Sequence, residues 1–199
     1  MKILIVGAFG TIGSAVHNDL ASRHEIITAG RNGADLAVDI RSPESISAMY
    51  QRAGKVDAVI NTAGDAHFGS LLELTPELNE IAILSKLKGQ INLVLLGMHH
   101  VNDHGSFTLT SGIVMDDPIK GGASAAMAGG AVRAFVQSAA IEMPRGIRIN
   151  HVSPTLLEES ISTYGPYFPG FEPVPARRVV QAYRKSVEGS QTGQTYTVY

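Results

Sequence analysis

Three glycines, Gly7, Gly10 and Gly13, stand at the end of the apolar run Ile3–Val6 with the spacing G-x-x-G-x-x-G. A strand that turns sharply into a helix needs residues without a Cβ, and the free N–H groups at the helix start then face an anion favoured by the helix dipole. Such a turn suits a pyrophosphate. Three glycines would equally make a tight turn with no ligand, but a strand before them and a helix opening at Thr11 form the context that anion binding requires. Further along, Gly30-Arg31-Asn32 follows a second apolar strand. A dinucleotide site for NAD carries an acid there for the ribose 2′-OH, whereas a 2′-phosphate needs room and a cation. Gly30 offers the room and Arg31 a planar fork suited to phosphate, so NADP is expected over NAD. The plainer reading of Arg31 is a solvated turn residue. Asp39 could accept a hydrogen bond from an adenine amino group while Ile40 flanks the ring; an acid at a strand end beside a core Ile accounts for the pair equally well. Asn61-Thr62-Ala63-Gly64 ends a fourth strand with residues small enough for a cofactor to lie across the strand ends. Ser111 carries a hydroxyl with no activating neighbour in sequence. His99, His100 and His104 read as the polar end of a helix, not as metal ligands, because adjacent helical residues point about 100° apart.

These residues need a scaffold, and the chain alternates short apolar runs with helical stretches, the pattern of a parallel sheet covered by helices. Strands are expected at Lys2–Val6, Glu25–Ala29, Leu36–Asp39, Ala58–Asn61, Ser106–Thr110, Arg148–Val152 and Thr195–Val198. Helices are expected at Thr11–Ser22, Pro43–Arg52, Pro76 to about His100, Gly122–Glu142 and Pro175–Val187. Ser42-Pro43-Glu44 and Thr75-Pro76-Glu77 supply an N-cap, a proline at the first helical position and an acid in the first turn. Ile91–Leu96 would pass for a strand, but Leu84, Leu87, Ile91 and Leu95 keep helical spacing. The segment 158–173 reads as an irregular loop. Its Tyr164, Tyr167, Phe168 and Phe171 suit a lid over a pocket or a surface loop pinned by its own aromatics.

Composition narrows the classes. With 199 residues, 44% hydrophobic and 17% charged, the chain suits one globular α/β domain spanning 1–199. A formal net charge of −2 gives no general attraction to nucleic acid or anionic membrane. The absence of cysteine excludes thiolate catalysis and disulfides. The first apolar stretch is short and broken by glycine, and no charged segment precedes it, so a cytoplasmic protein is expected.

Taken in order, Gly7-Ala8-Phe9-Gly10-Thr11-Ile12-Gly13, Asp39-Ile40, Asn61-Thr62-Ala63-Gly64, Pro144-Arg145-Gly146-Ile147-Arg148-Ile149-Asn150, Val152-Ser153-Pro154 and Thr192-Gly193-Gln194 resemble the short-chain dehydrogenase/reductase family over nearly the whole chain. The resemblance implies a Rossmann-type doubly wound parallel sheet of about seven strands. It implies a nicotinamide dinucleotide held by Gly7, Phe9, Gly10, Thr11, Ile12, Gly13, Arg31, Asn32, Asp39, Ile40, Asn61, Ala63, Gly64 and Pro154, and a homodimer or homotetramer built on the two long helices. The chain also departs from the family. Where the family carries Tyr-x-x-x-Lys, whose tyrosine exchanges a proton with substrate oxygen, this chain has Ala125 and Gly129; a one-residue shift gives Ser124 and Ala128 and rescues neither role. The family's serine falls at Gly112 or, one residue early, at Ser111. Its helix asparagine falls near Lys86, and Thr155 stands for the usual glycine after Pro154. Two functions follow as expectations: an NADP-dependent oxidoreductase of a small carbonyl or alcohol with a degenerate centre, or a dinucleotide-binding protein without turnover.

Overall fold

In the computed structural model, which describes residues 1–199, β1 (Lys2–Val6) is the most deeply buried strand of the N-terminal half. Ile3, Leu4, Ile5 and Val6 have no exposed surface. Successive side chains of a strand point to opposite faces, so Leu4 and Val6 join one core and Ile3 and Ile5 the other. Each such side chain contributes roughly 1.5–3 kcal/mol by burial. The run of apolar residues is continuous because both faces are covered.

All seven strands are parallel, in the order β3-β2-β1-β4-β5-β6-β7. They are β1, β2 (Glu25–Gly30), β3 (Leu36–Ala37), β4 (Val56–Asn61), β5 (Val101–Thr110), β6 (Arg148–Pro154) and β7 (Thr195–Val198). One face is covered by α2 (Pro43–Ala53), α4 (Gln90–Gly97) and α5 (Ala123–Ala139), through Ile46, Met49, Tyr50, Leu93, Val94, Val132 and Val136. The other is covered by α1 (Thr11–Leu20) and α7 (Ala176–Glu188), through Val16, Leu20, Val179, Val180, Tyr183 and Val187. Chain order reverses between β1 and β4, and the crevice outside the carboxyl ends of those strands is where open α/β sheets bind ligands. No helix is long and apolar enough to cross a membrane.

The expected caps are present. Ser42 Oγ accepts from the Ser45 N–H at 3.1 Å, and Thr75 Oγ1 from the Leu78 N–H at 3.3 Å. The expected helix from Pro76 to about His100 is instead three pieces. α3 (Pro76–Ile81) runs into a π-helical stretch, Ala82–Gly89, and then into α4. Ile91–Leu96 is helical as expected. β5 starts early because Val101 already pairs with Val56 before the register shifts, and His104 takes φ +62° at that irregularity. β3 pairs over two residues only, since Asp39 turns away to the Ser45 hydroxyl. The segment after β6 contains α6 (Ile161–Tyr164) between two short 3₁₀ turns, so it is more ordered than an irregular loop.

Candidate functional site

The turn from β1 to α1 gives its three glycines different tasks. At Gly13 a Cβ would lie 2.0 Å from the Gly7 carbonyl oxygen, so only glycine lets α1 pack on the strand end. Gly7 has φ +85°, and a Cβ there would meet the Ala63 nitrogen at 2.8 Å. Thr62 holds that junction by donating to the carbonyls of Val6 and Gly7. Gly10 is different. A Cβ there would meet nothing closer than 3.5 Å, its φ is −73°, and it lines a cavity. No protein atom demands glycine at position 10. Gly10 is also the N-cap and offers no side-chain cap to the first amides of α1, which leaves those donors for an anion.

That first cavity, about 280 Å³, is lined by Gly7, Gly10, Gly30, Arg31, Asp39, Ile40, Arg41, Ala63, Gly64 and Asp65 among others. Its far rim carries two guanidinium groups. The exposed Arg31 makes no ion pair, while Arg41 Nη2 sits 2.7 Å from Asp39 Oδ2. Arg41 holds the Asp39 carboxyl well below the usual range, at about 2. Asp65 also lines this cavity and its charge acts on Arg41, so Arg31 and Arg41 face two carboxylates. Asp35 is turned onto β2, where its Oδ2 accepts from the Thr28 N–H at 2.9 Å and the Thr28 hydroxyl at 2.7 Å.

Gly64 and Asp65 also line a second cavity of about 270 Å³, so the two run together. Its walls are largely apolar, from Ile12, Ala66, Phe68, Ile113, Val114, Leu156, Leu157 and Phe168. Ser111, Lys86, Tyr164, Thr155, Ala125 and Pro154 also line it. Ser111 Oγ is buried without a hydrogen-bond partner. Tyr164 packs on Phe68 with ring centroids 5.4 Å apart, so part of the segment 158–173 does border the pocket. Ala125 faces the cavity, and a side chain at Gly129 would touch Ser111 and Met115. Ala125 and Gly129 thus both face the site, with no phenol and no ammonium on that wall.

The π-helical stretch brings Lys86 to this cavity. Gln90 bridges helix and sheet: its Nε2 donates to the carbonyls of Lys86 (2.8 Å) and Thr110 (2.7 Å), and its Oε1 accepts from the Thr110 N–H at 2.8 Å. Carbonyls displaced from the α-helical pattern need such partners. Burial pulls the Lys86 ammonium below the ordinary lysine value, partly offset by Asp65.

Of the residues singled out from the sequence, Gly7, Gly10, Arg31, Asp39, Ile40 and Ala63 line the first cavity, Gly64 lines both, and Ile12, Ser111 and Pro154 line the second. Phe9, Thr11 and Asn32 are exposed and line neither. Gly13 and Asn61 are buried. Asn61 turns its side chain on its own loop, with Nδ2 donating to the Ala63 carbonyl at 2.7 Å. Arg41, Asp65 and Ser85 were not singled out. Arg41 directly follows Asp39-Ile40, a signal that was available, whereas nothing local marks Asp65 or Ser85.

A family model described as Enoyl-(Acyl carrier protein) reductase matches residues 11–187. The chain belongs to the short-chain dehydrogenase/reductase family. The curated relative "Oxidoreductase UcpA" of Escherichia coli (strain K12) is 27% identical over 150 residues, which cover 69% of this chain and 57% of that protein. This family member therefore spans little more than half the length of the curated relative. Among solved structures, the protein lin1944 from Listeria innocua is 61% identical with a TM-score of 0.99, both chains covered at 100%. A small-chain dehydrogenase solved in complex with NADPH is 23% identical with a TM-score of 0.89, covering 100% of this chain and 96% of that one; this likeness is one of fold.

Proposed function

We propose that this chain is an NADP-dependent oxidoreductase of a small carbonyl or alcohol, working from a centre without the family's tyrosine and lysine. The observation that carries the reading is the pair of joined cavities, one with a Cβ-free cradle and a rim bearing Arg31 and Arg41, the other apolar with a buried hydroxyl. Gly7, Gly10, Thr11 and Ile12 would hold the pyrophosphate, with Gly13 setting the approach of α1 and Phe9 shielding the turn. Arg31, with Arg41 and Asn32, would meet the 2′-phosphate. Asp39 and Ile40 would border the adenine, and Asn61 would shape the loop on which Ala63 and Gly64 meet the ribose. Pro154 would bound the nicotinamide end. When bound, the cofactor supplies hydride. Ser111 binds the substrate oxygen, and the apolar walls exclude water and favour small aldehydes or ketones.

The second reading is a dinucleotide-binding protein without turnover, and Ala125 with Gly129 favours it. The deciding experiment is calorimetric titration with NADPH and NADH, followed by turnover on an aldehyde and ketone panel. A charge-assisted contact to phosphate contributes roughly 1.5–3 kcal/mol, so about a ten- to hundredfold preference for NADPH is expected, lost in Arg31→Ala. Equal affinities, or a ratio unchanged in that variant, overturn the NADP assignment. Tight NADPH binding with no turnover selects the second reading. A homodimer or homotetramer using the helices on the α4–α5 side, where Leu95 and Met127 are exposed, is the expected state, and light scattering on the same sample reads it.

A further inference from the structure

We propose that Lys86 is the catalytic acid of this protein, its ammonium giving a proton to the substrate carbonyl oxygen while the Ser111 hydroxyl hydrogen-bonds the same oxygen. The proposal rests on the carbonyl-reduction reading above. Four observations carry it.

Lys86 and Ser111 line the same cavity, the one that opens onto the dinucleotide crevice through Gly64 and Asp65. The stem of Lys86 passes directly over Gly64, where a Cβ would stand 3.2 Å from the Lys86 Cα and 3.5 Å from its Cβ and Cγ. The side chain is aligned along the crevice because position 64 carries none.

The backbone at Lys86 is set by the π-helical stretch, and its carbonyl is tied through Gln90 to Thr110, the residue before Ser111. Donor and hydroxyl are therefore braced against each other by one buried amide side chain.

Both groups also lack partners. The Lys86 ammonium makes no ion pair within 4 Å and no hydrogen bond, and Ser111 Oγ is buried and unpaired. A buried unpaired hydroxyl is costly unless something else completes it. One carbonyl oxygen, with two lone pairs, completes both.

The alternatives for the proton fall short. The titratable side chains lining this cavity are Asp65, Lys86 and Tyr164. α5, which packs on the π stretch, contributes Arg133 as its one charge, and Arg133 is paired with Asp116. The Asp65 carboxyl group already faces the cations of Arg41 and Lys86. Tyr164 sits on a single helical turn and is 40% exposed, so water competes for its hydroxyl. Burial, by contrast, pulls the Lys86 ammonium below the ordinary lysine value and so makes it a better donor than an exposed lysine.

Protons and electrons balance simply. Reduction adds hydride at carbon, supplied by the reduced nicotinamide of the reading above, and a proton at oxygen. The Lys86 N–H bond breaks, its electron pair stays on nitrogen, the O–H bond of the alcohol forms, and the neutral amine takes a proton from water at the cavity mouth.

The test compares the parent with Lys86→Met, Lys86→Arg and Tyr164→Phe, each first checked for parental melting temperature and NADPH affinity. Positioned proton transfer contributes roughly 10²–10⁴-fold, so kcat is expected to fall by about that factor in Lys86→Met. Arg keeps the charge but holds its proton too tightly to give it, so Lys86→Arg is expected to regain KM without regaining kcat. The rate of reduction should decline as pH rises through the Lys86 titration, and that limb should vanish in Lys86→Arg. Independently of turnover, the ε-carbon resonance that Lys86→Met removes from ¹³C-lysine-labelled, cofactor-free protein should titrate below about 10.4, the ordinary lysine value. Turnover retained in Lys86→Met, or lost in Tyr164→Phe instead, overturns Lys86 alone, as does an ordinary titration of its resonance. A parent that binds NADPH but turns over no carbonyl overturns the reduction reading and the role of Lys86 with it.

Discussion

The crevice has two unlike halves. Around β1, β2 and the first cavity, polar groups are already satisfied within the protein: Asp35 by Thr28, Asp39 by Arg41, Thr62 by the Val6 and Gly7 carbonyls, Asn61 by its own turn. Around β5, β6 and α5, buried polar atoms stand without partners, on Ser111, Ser124 and His151; the one exception to this division is His24 Nδ1, whose ring still has Nε2 3.0 Å from Glu188. The difference teaches where each half's specificity comes from. The first half is a finished mould whose shape is set by missing Cβ atoms and whose charge sits at the rim. The second carries Ala125 and a bare Gly129 on its α5 wall and keeps the Ser111 hydroxyl free for a ligand.

The sharpest way to break this comparison is to separate two glycines of the mould. Gly13→Ala places a methyl carbon 2.0 Å from a backbone oxygen, an overpacking that costs at or beyond the top of the usual range of about 1–3 kcal/mol. Chemical denaturation should show that loss, or the variant should fail to fold. Gly10→Ala meets no protein atom closer than 3.5 Å. It should fold like the parent and lose at least about tenfold in NADPH affinity, because the new methyl group occupies space that the protein leaves open. Parental affinity in Gly10→Ala would mean that the cavity beside it is not the pyrophosphate cradle.

A smaller effect is expected from His151 in the other half. It lies fully buried on β6, and burial lowers its imidazole to about 4 from the ordinary 6.5. Between those values the unfolded chain binds a proton that the folded protein refuses, so this group's stabilisation is complete above pH 6.5 and is lost as pH falls toward 4. At about 1.4 kcal/mol per pH unit, acidification from pH 6.5 to 5 should remove about 2 kcal/mol from this source. Urea denaturation at pH 7 and 5 reads it, and His151→Leu should shrink the difference by a similar amount. An identical pH dependence in the variant would show that the ring finds a partner.

The smallest effect distinguishes ligand-awaiting hydroxyls from relics. Ser124 is buried, unpaired and does not line the second cavity, whereas Ser111 does. Removing a buried unsatisfied hydroxyl is neutral to stabilising, by up to about 1 kcal/mol. Both Ser124→Ala and Ser111→Ala should melt at or slightly above the parent temperature, but only Ser111→Ala should raise KM for a carbonyl substrate. Equal kinetics in the two would place Ser111 among the relics.

Local features of the chain carried most of the fold. Alternating apolar runs marked all seven strands, Ser42-Pro43 and Thr75-Pro76 marked helix starts, and the glycine spacing after Val6 marked the turn at the switch point. Each depends on residues adjacent or a few positions apart, so the amino-acid sequence determined them alone. It also determined that Ala125 and Gly129 bring neither a phenol nor an ammonium to α5, because an absent side chain needs no geometry to be absent. What it could not express is which distant groups meet. Arg41 closing on Asp39, Asp35 turned back on Thr28, and Gly10 left open while Gly13 is filled depend on how strands and turns pack. The largest gap lay at Ala82–Gly89, where apolar spacing read as one helix and the backbone is π-helical. Its register is held by Gln90 reaching across to β5, a contact between residues 20 apart in sequence. The same amide ties the Lys86 carbonyl to β5. Burial, and with it acidity, is a property of the surroundings, and only the tertiary structure supplies those.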